Sequence, residues 1–436
     1  MKTFELKDFI KTKQDSKKHT KEDIEFFIKN LDGFSQEEIT LWLKAVKANG
    51  MNSEETSALC MALTNSGTVL SWEKLEPTVD KHSTGGIGDK VSLLFVPLMA
   101  AYGINVPKLS GRGLGITGGT LDKLESIPGF NTNLTISQMK EQVKKIGLAI
   151  ASAGKDLAPR EKKLYIIRDV TGTTDSIPLI ASSIMAKKFA GGATNIILDV
   201  KYGSGAFMKT LKKAESLAEE MVQIGKSQSK KAKAVISNMN EPLGYGIGNS
   251  LEIKEVLDVM AGKRINDLVE IVILLAFEAI KLINYHPEPG FERRLELESE
   301  LENLLLKGGA LKKFEQMIAA QGGNLKEFWE IKQAKYITTI NSKNDGFIHN
   351  LDALLIGEAV HKLGAGRKEV TDKIDYTAGI KLLKKHGDKV IKNEPLLEIH
   401  AKSKEDADIV REKLTDAIIF GQNEPSKLKL IEGVIE

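Results

Sequence analysis

Cysteine is almost absent from this chain of 436 residues, since Cys60 is the only one. A single cysteine excludes an intrachain disulfide and a metal site built from several thiolates. Cys60 lies in an apolar, helix-like stretch and is predicted to be a core residue. No apolar run approaches the roughly 20 residues of a membrane-spanning helix, and no signal-peptide pattern precedes Phe4. We therefore expect a cytoplasmic protein.

A large net charge is also absent. The chain has 62 Lys and Arg against 59 Asp and Glu, so its formal net charge is +3. This charge is too small to indicate nucleic acid or an anionic membrane as a partner. Apart from His82, the histidines show no spacing typical of metal ligands, and no metal site is predicted. The hydrophobic fraction of 42% is ordinary for a globular protein of two or three domains.

The sequence pattern changes twice along the chain. Residues 1–68 have the apolar spacing of four short helices, with capping signals at Thr20, Ser35 and Ser53. In residues 69–335, strands, glycine loops and helices alternate, which predicts a mostly parallel central sheet covered by helices. Residues 336–436 read as short strands and turns. The predicted class is therefore α/β: a small all-helical domain, a large α/β domain and a β-rich, barrel-sandwich-like module.

Two glycine-rich loops are the most informative segments. They are VDKHSTGGIGDK at residues 79–90 and SGRGLGITGGT at residues 110–120. Glycines let backbone N–H groups approach a ligand, and the helix that follows adds partial positive charge, so such a turn favours an anion. Neither loop matches the Walker A motif or the dinucleotide fingerprint. One such loop is more often an ordinary strand-to-helix turn, but two in one α/β unit favour two sides of one phosphate site.

A second polar set lies on two helices predicted between residues 160 and 190. Tyr165 and Arg168 share one helix face, as do Ser183 and Lys187. The alternative interpretation is a set of solvated charges, because each cation is followed by another charged residue. The apolar flanking residues instead predict that both helices are largely buried, and buried cations need an anionic or dipolar partner. These flanking residues are Leu164, Ile166, Ile167, Ile180, Ile184 and Met185.

The segment SGRGLGITGGTLDKLE, from Ser110 to Glu125, resembles the signature of thymidine and pyrimidine-nucleoside phosphorylases. The resemblance extends through KHSTGGIGDKVS, YIIR, SIPLIASSIMAKK and DVKYGSGAFMK, and it covers essentially the whole chain. The segments ASSIMAKK and PLGYGIGN look closer to the broad-specificity bacterial enzymes than to strict thymidine phosphorylases. The resemblance implies reversible phosphorolysis of pyrimidine nucleosides to the free base and an α-pentose 1-phosphate, in nucleoside salvage, with thymidine, deoxyuridine and uridine as candidate substrates.

The resemblance also implies roles for individual residues. The residues expected to hold phosphate are Lys81, Ser83, Ser92, Ser110 and Thr120. Those expected to line the base pocket are His82, Leu114, Tyr165, Arg168, Ile180, Ser183 and Lys187. His82, Arg168 and Lys187 would act on the leaving pyrimidine anion, although His82 has the alternative of a structural loop residue. Because phosphate is itself the nucleophile, the chemistry needs no enzyme nucleophile and no metal.

Lys90 is a departure from part of the family. Some bacterial relatives have Thr at this position and bind a monovalent cation there, whereas other members have Lys. Leu243, Gly246 and Glu255 match the region that completes the cation site in those relatives. We predict that the Lys90 ammonium replaces the cation and pairs with Glu255. No cofactor is expected, and inorganic phosphate is a co-substrate.

The family architecture would complete the helical domain with residues of about 160–191 and pair two chains through it as a homodimer. Phosphate would bind on one domain and the base on the other, with closure between them. Two alternatives stay open: an anthranilate phosphoribosyltransferase-like activity, which needs magnesium, and a non-catalytic nucleoside-binding protein. The second alternative predicts damage at Arg168, Lys187 or the phosphate residues, and none is visible. Side-chain identities do not settle the sugar and base preference.

Overall fold

A computed structural model describes residues 4–113, 116, 118–263, 267–284, 290–331, 334–367 and 372–436. Leu114, predicted to line the base pocket, lies outside the described residues. The helices of the first half are α1 Leu6–Gln14, α2 Lys21–Lys29, α3 Gln36–Asn49, α4 Ser53–Thr64, α5 Val91–Tyr102, α6 Thr120–Glu125, α7 Ile136–Ile146, α8 Pro159–Val170 and α9 Ile177–Ala190. The helices of the second half are α10 Leu211–Ser227, α11 Asn249–Met260, α12 Asp267–Asn284, α13 Phe291–Leu306, α14 Gly309–Ala320, α15 Leu325–Glu330, α16 Ala353–Val360 and α17 Lys404–Asp416.

The strands are short and belong to several sheets. In chain order they are β1 Asp80–Ser83, β2 Val106–Ser110, β3 Leu148–Ser152, β4 Asn195–Tyr202, β5 Lys231–Asn238, β6 Gly246–Ile247, β7 Tyr336–Asn341, β8 Gly346–Leu351, β9 Gly379–Leu382, β10 Lys389–Val390, β11 Pro395–Ala401, β12 Ile418–Gly421 and β13 Ile431–Ile435. The central sheet has the order β1-β4-β5-β13, and β2 pairs with β3 beside it. All of these pairings are parallel except that of β13 with β5. The predicted α/β class with a mostly parallel central sheet is confirmed.

The amino-terminal helices follow from their caps. Thr20 accepts a hydrogen bond from the N–H of Asp23 at the start of α2, and Ser35 forms a capping box at the start of α3. The cap predicted at Ser53 is wrong by one residue. Asn52 caps α4 instead, because its side chain accepts from the N–H of Glu55 at 2.8 Å and Glu55 in turn accepts from the Asn52 N–H at 3.0 Å.

The central sheet separates two hydrophobic cores. Along β4, Ile196 and Leu198 face the core formed with α1–α4 and α8–α10, whereas Ile197 faces the core formed with α5 and α11–α14. This alternation follows from the period of two residues in a strand. Helices therefore cover both faces of the sheet, as expected for parallel strands joined by helical crossovers. Cys60 lies fully buried in α4.

Helices α8 and α9 lie in contact with α4, one of the four amino-terminal helices. The prediction that both are largely buried is correct for α9 and wrong for α8. On α8, the side chains of Ile166 and Val170 are 55% and 68% exposed. The reason is that α8 packs on α3, α4 and α9 with one face only, whereas α9 also packs against α10. The domain boundaries at residues 68 and 335 stay a prediction.

The carboxyl-terminal segment forms two small antiparallel sheets, of order β6-β9-β11-β7 and β10-β8-β12, with α16 and α17. Strand β6 precedes α11, so the loop before α11 is fixed to this module. The last strand, β13, leaves the module and joins the central sheet. A search of the described residues for a helix long and apolar enough to span a membrane finds none.

Candidate active site

Strand β1 divides the candidate site into two sides. Its register with β4 pairs Lys81 with Ile197 and Ser83 with Asp199. Because side chains alternate along a strand, Lys81 and Ser83 share the face of Asp199, whereas Asp80 and His82 point to the opposite face. We call these the loop side, towards the glycine loops, and the helix side, towards α9.

On the loop side, the cations are paired beneath the first glycine loop. The Lys81 ammonium lies 2.8 Å from Asp199 Oδ2, and the Lys201 ammonium lies 2.8 Å from Asp199 Oδ1. Ser237 donates to the same carboxylate at 2.9 Å. All three charged side chains are fully buried. Lys81, predicted to hold phosphate, is therefore buried beneath the first glycine loop.

Two further lysines join the glycine loops. Lys108 Nζ donates to the carbonyl oxygen of Lys81 at 2.5 Å, and Lys123 Nζ donates to the carbonyl oxygen of Asp89 at 2.5 Å. Lys123 also pairs with Glu252 at 2.8 Å. These contacts tie β2 and α6, which flank the second loop, to the first loop. These contacts thus place the flanks of the second loop beside the first loop.

The serine and threonine residues predicted to bind phosphate lie at the ends of elements around these loops. Ser92 is in the first turn of α5, Ser110 ends β2 and Thr120 begins α6. In the described part of the chain, the hydroxyls of these three residues form no hydrogen bond to protein. The Ser83 hydroxyl differs, because it is hydrogen-bonded to the Asp89 carboxylate. Ser92, Ser110 and Thr120 therefore retain their bonding capacity for a ligand.

The excess of buried cations shifts the titration of the acidic and basic groups. Burial alone would raise the pKa of Asp89, but Lys201, Lys81 and Lys123 outweigh it and hold that pKa below its usual range. Burial lowers the pKa of Lys108 to about 7, and the repulsion from Lys188 adds to this effect. The described residues around the loops are therefore rich in positive charge, as a site for phosphate would be.

His82 faces the helix side and is partly buried. Burial, and then the nearby Lys188, Lys108, Lys187 and Lys81, hold the pKa of His82 well below its ordinary value. Its imidazole is neutral at neutral pH in the absence of an anion. A neutral imidazole has one N–H that can donate a hydrogen bond to a carbonyl oxygen.

On the helix side, Glu161 joins two of the residues predicted to line the base pocket. The Ser183 hydroxyl is hydrogen-bonded to Glu161 Oε1, and the Lys187 ammonium lies 3.2 Å from the same oxygen. Lys187 also lies 5.7 Å from the centroid of the Tyr165 ring. The side chain of Lys187 is 43% exposed, so this cluster opens to solvent. Ile180, one turn earlier in α9, is buried beneath it.

Arg168 is almost completely buried, and its guanidinium is only partly satisfied. Nη1 donates to the carbonyl oxygen of Leu179 at 2.9 Å and Nη2 to that of Thr174 at 3.1 Å. Within the described residues, Nε is buried without a hydrogen-bond partner. Burial also lowers the pKa of Arg168. A buried cation with an unused donor is costly in the free protein and is suited to a ligand oxygen.

Lys90 and Glu255 are in contact. The Lys90 ammonium lies 2.9 Å from Glu255 Oε2 and donates to the carbonyl oxygen of Leu243 at 2.8 Å. Glu255 also accepts from the N–H groups of Tyr245 and Gly246, at 2.9 Å and 2.8 Å. The ammonium thus has the carbonyl and carboxylate that the sequence associates with a cation site. Its role as the replacement for a cation stays a prediction.

Comparisons with known proteins show the family of the chain. Residues 75–292 match the model of the glycosyl transferase family a/b domain, and residues 347–421 match the pyrimidine nucleoside phosphorylase C-terminal domain. The pyrimidine-nucleoside phosphorylase of Geobacillus stearothermophilus is 43% identical over 94% of this chain and 95% of that protein. That of Staphylococcus haemolyticus is 44% identical, with the same coverage. The chain belongs to the pyrimidine-nucleoside phosphorylase family.

The fold of this phosphorylase family member is also found in a more distant protein. Anthranilate phosphoribosyltransferase from Thermus thermophilus aligns with a TM-score of 0.58 over 72% of this chain and 98% of that one. The sequence identity is 17%, so this likeness concerns the fold alone. It covers the larger part of the chain without implying a shared reaction.

Several residues of this pentosyltransferase site were not predicted from its sequence. They are Asp80, Asp89, Lys108, Lys123, Glu161, Lys188, Asp199 and Lys201. Lys188 was treated only as the charged neighbour of Lys187, yet its ammonium is buried 2.9 Å from Asp80 Oδ2. The signal that could have identified Lys188 is its place on the apolar α9, where a second lysine also needs a partner. Among the described residues, no group of acidic, His or Cys side chains could hold a metal ion.

Proposed function

We propose that this enzyme catalyses the reversible phosphorolysis of pyrimidine nucleosides and deoxynucleosides, in nucleoside salvage. The substrates would be thymidine, deoxyuridine and uridine, and the products the free base and an α-D-pentose 1-phosphate. The observation that carries the proposal is the division of β1. The two glycine loops and their lysines lie on one face of β1, and Arg168, Ser183 and Lys187 lie towards the other. An anion and a planar polar ring can therefore bind on opposite sides of one strand.

The proposed reaction needs positioning and charge stabilisation from the protein. A phosphate oxygen attacks the anomeric carbon while the bond from this carbon to the base nitrogen breaks, and the electron pair of that bond moves into the pyrimidine ring. Arg168 and Lys187 would stabilise the negative charge that develops on the ring oxygens and N3. Ser183, whose hydroxyl donates to Glu161, would accept a hydrogen bond from an N–H of the base, and the neutral His82 would donate its N–H to a base carbonyl.

On the loop side, the hydroxyls of Ser92, Ser110 and Thr120 would hold the phosphate together with Ser83 and the backbone N–H groups of both loops. Lys81 and Lys108 would supply positive charge from below. Bound phosphate adds negative charge near His82 and would raise its pKa, which favours the imidazolium form, whose two N–H groups can both donate, as the base leaves. Binding phosphate would thus prepare the helix side for the departure of the base.

We further propose a homodimer that forms through the amino-terminal helices and α8. Large apolar side chains are exposed there, and such a patch is typical of an interface. They are Phe26, Leu41, Ile166 and Val170. Light scattering should give twice the chain mass for the wild type, and Ile166→Glu should reduce it. A monomeric wild type at micromolar concentration would contradict this proposal.

The decisive experiment for the activity is phosphorolysis of thymidine, deoxyuridine and uridine in parallel, with and without phosphate, in EDTA. We expect phosphate-dependent release of the base from all three nucleosides, unaffected by EDTA. Cleavage of the deoxynucleosides alone would restrict the enzyme to thymidine-type substrates. Activity that requires magnesium and a pyrophosphorylated sugar would favour a phosphoribosyltransferase. The absence of any cleavage would favour a nucleoside-binding protein.

A further inference from the structure

A separate cavity lies between α11, α15 and the carboxyl-terminal sheet. Its volume is about 440 Å³, within the range of roughly 300–1,000 Å³ that small-molecule sites occupy. None of its lining residues belongs to the phosphate or base sets, and Glu255 forms part of its wall. The lining combines cations, aromatic rings and hydroxyls, which include Lys254, Lys381, Tyr245, Trp329, Ser250 and Thr377.

Lys254 is the uncompensated charge of this cavity. Two other lysines of the wall are paired, Lys381 with Glu398 at 3.1 Å and Lys263 with Asp258 at 3.4 Å. Within the described ranges, Lys254 has neither a carboxylate nor a hydrogen-bond acceptor as partner. It is partly buried, and burial lowers its pKa. A partly desolvated ammonium without a partner is unfavourable, so an anionic group of a ligand would stabilise it.

The aromatic lining is suited to a planar ring. Trp329 is 51% exposed, and its ring is packed edge-on against Phe328 at a centroid distance of 5.8 Å. The indole therefore retains accessible surface. Large apolar rings with this exposure stack readily on the bases of nucleotides. Ser250 and Thr377 line the same cavity. The Thr377 hydroxyl donates to Asp375 at 2.7 Å and could still accept a hydrogen bond from a sugar hydroxyl.

We propose that this cavity binds a nucleoside monophosphate, with its phosphate at Lys254 and its base against Trp329. The ligand would be an effector and not a substrate, because no residue assigned to phosphorolysis reaches the cavity. The combination of one unpaired cation, one accessible indole and a volume of mononucleotide size carries this inference.

The cavity is linked to the first glycine loop through Glu255. This carboxylate lines the cavity and also bonds the Lys90 ammonium at 2.9 Å. Lys90 immediately precedes α5, whose first turn carries Ser92. A ligand that shifts Glu255 would therefore alter the phosphate side of the site. Coupling of this kind is reciprocal, so phosphate would also change the affinity for the effector.

Trp329 provides a local signal for the test. The other two tryptophans, Trp42 and Trp72, are buried elsewhere in the protein. Adenosine 5′-monophosphate is the probe, because its purine base avoids the pyrimidine site, and adenosine is the uncharged control. We expect saturable quenching of the fluorescence by the nucleotide at submillimolar concentration, weaker quenching by adenosine, and loss of the signal in Trp329→Phe.

Lys254→Met should weaken the binding of the nucleotide at least about tenfold, since it removes one charge-assisted bond. Lys212→Met, at an exposed position of α10, is the matched control and should bind as the wild type does. The proposal would be overturned if the nucleotide gave no saturable signal up to several millimolar, or if Lys254→Met bound it normally. An adenosine response equal to that of the nucleotide would also overturn it.

The coupling is tested by the dependence of phosphorolysis on phosphate. The nucleotide should change the KM for phosphate in the wild type and leave it unchanged in Lys254→Met. An unchanged KM in the wild type would overturn the regulatory link. Because the fluorescence signal does not require phosphorolysis, binding without any cleavage would contradict only the proposed function.

Discussion

The two sides of β1 use cations in different ways. On the loop side, Lys81, Lys201 and Lys123 are buried and held by carboxylates, so the positive charge is fixed before any ligand arrives. On the helix side, Lys187 is also paired, with Glu161, but it is partly exposed, and Arg168 keeps a buried Nε that has no partner among the described residues. A small, highly charged anion is suited to a rigid, preorganised site. A base whose charge appears only as its bond breaks is suited to donors left free for that moment.

Lys187 and Lys188 bring this contrast to adjacent positions of α9. Lys187 is 43% exposed beside the Tyr165 ring, whereas Lys188 is buried and bridges to Asp80 and to the carbonyl oxygen of Leu109, at 2.9 Å and 3.3 Å. One lysine is therefore expected to act on substrate and the other to hold α9 against β1 and β2. Two neighbouring residues of one helix are thus expected to differ in role, one in the reaction and the other in the stability of the fold.

The largest expected effect is that of Lys187→Met on the rate. Removing one donor to the developing anion should lower kcat by about 10²- to 10³-fold. The melting temperature should fall less than in a fully buried pair, because the Lys187 side chain is 43% exposed and Ser183 still donates to the buried Glu161. Phosphorolysis of thymidine under saturating phosphate measures kcat. Lys162→Met, at an exposed position of α8, is the control. A kcat within twofold of the wild type would contradict the role of Lys187.

Lys188→Met should show the opposite pattern, with a large loss of stability and a smaller effect on kcat. It leaves the Asp80 carboxylate buried without its cation, and breaking a buried pair in this way costs about 3–5 kcal/mol. We expect a lower melting temperature and lower urea resistance, with Lys187→Met as the matched control at the next position. Equal stability of the two variants would show that α9 does not depend on the Lys188–Asp80 pair.

The sequence predicted most of the fold and part of this contrast. Helix α5 and the two loops were recognisable because apolar runs and glycines have strong local preferences. Lys188 and Glu161 were missed because their roles depend on partners far along the chain: Asp80 is 108 residues from Lys188, and Lys187 is 26 residues from Glu161. Periodicity shows that a helix has an apolar face, but it does not show whether that face is buried in the core. The exposure of Ile166 was missed for this reason, because a second apolar face can instead serve an interface.

Glu255→Gln tests whether the loop side depends on the ion pair between Glu255 and Lys90. The amide keeps the shape but removes the charge that holds the buried Lys90 ammonium, so we expect a loss of about 1–3 kcal/mol in stability and a higher KM for phosphate. Glu270→Gln, at an exposed position of α12, is the control. In the wild type, replacing choline chloride by potassium chloride should change the activity little if, as we propose, the Lys90 ammonium takes the place of a cation. Strong activation by potassium would contradict this role.

The smallest expected effect concerns Lys108, the loop-side lysine without a carboxylate among the described residues. Burial and Lys188 lower its pKa to about 7, so the free enzyme loses this proton as the pH rises above neutrality. Above about pH 7.5 phosphate is itself a dianion, and from there to about pH 9 the KM for phosphate should rise, by at most about tenfold per pH unit.

Lys108→Met should raise the KM at neutral pH and flatten this rise, whereas Lys144→Met, at an exposed position of α7, should not. A wild-type KM that stays constant over this range would show that phosphate does not require the Lys108 ammonium. The fixed charge of the loop side would then come from other buried lysines, which include Lys81, Lys201 and Lys123.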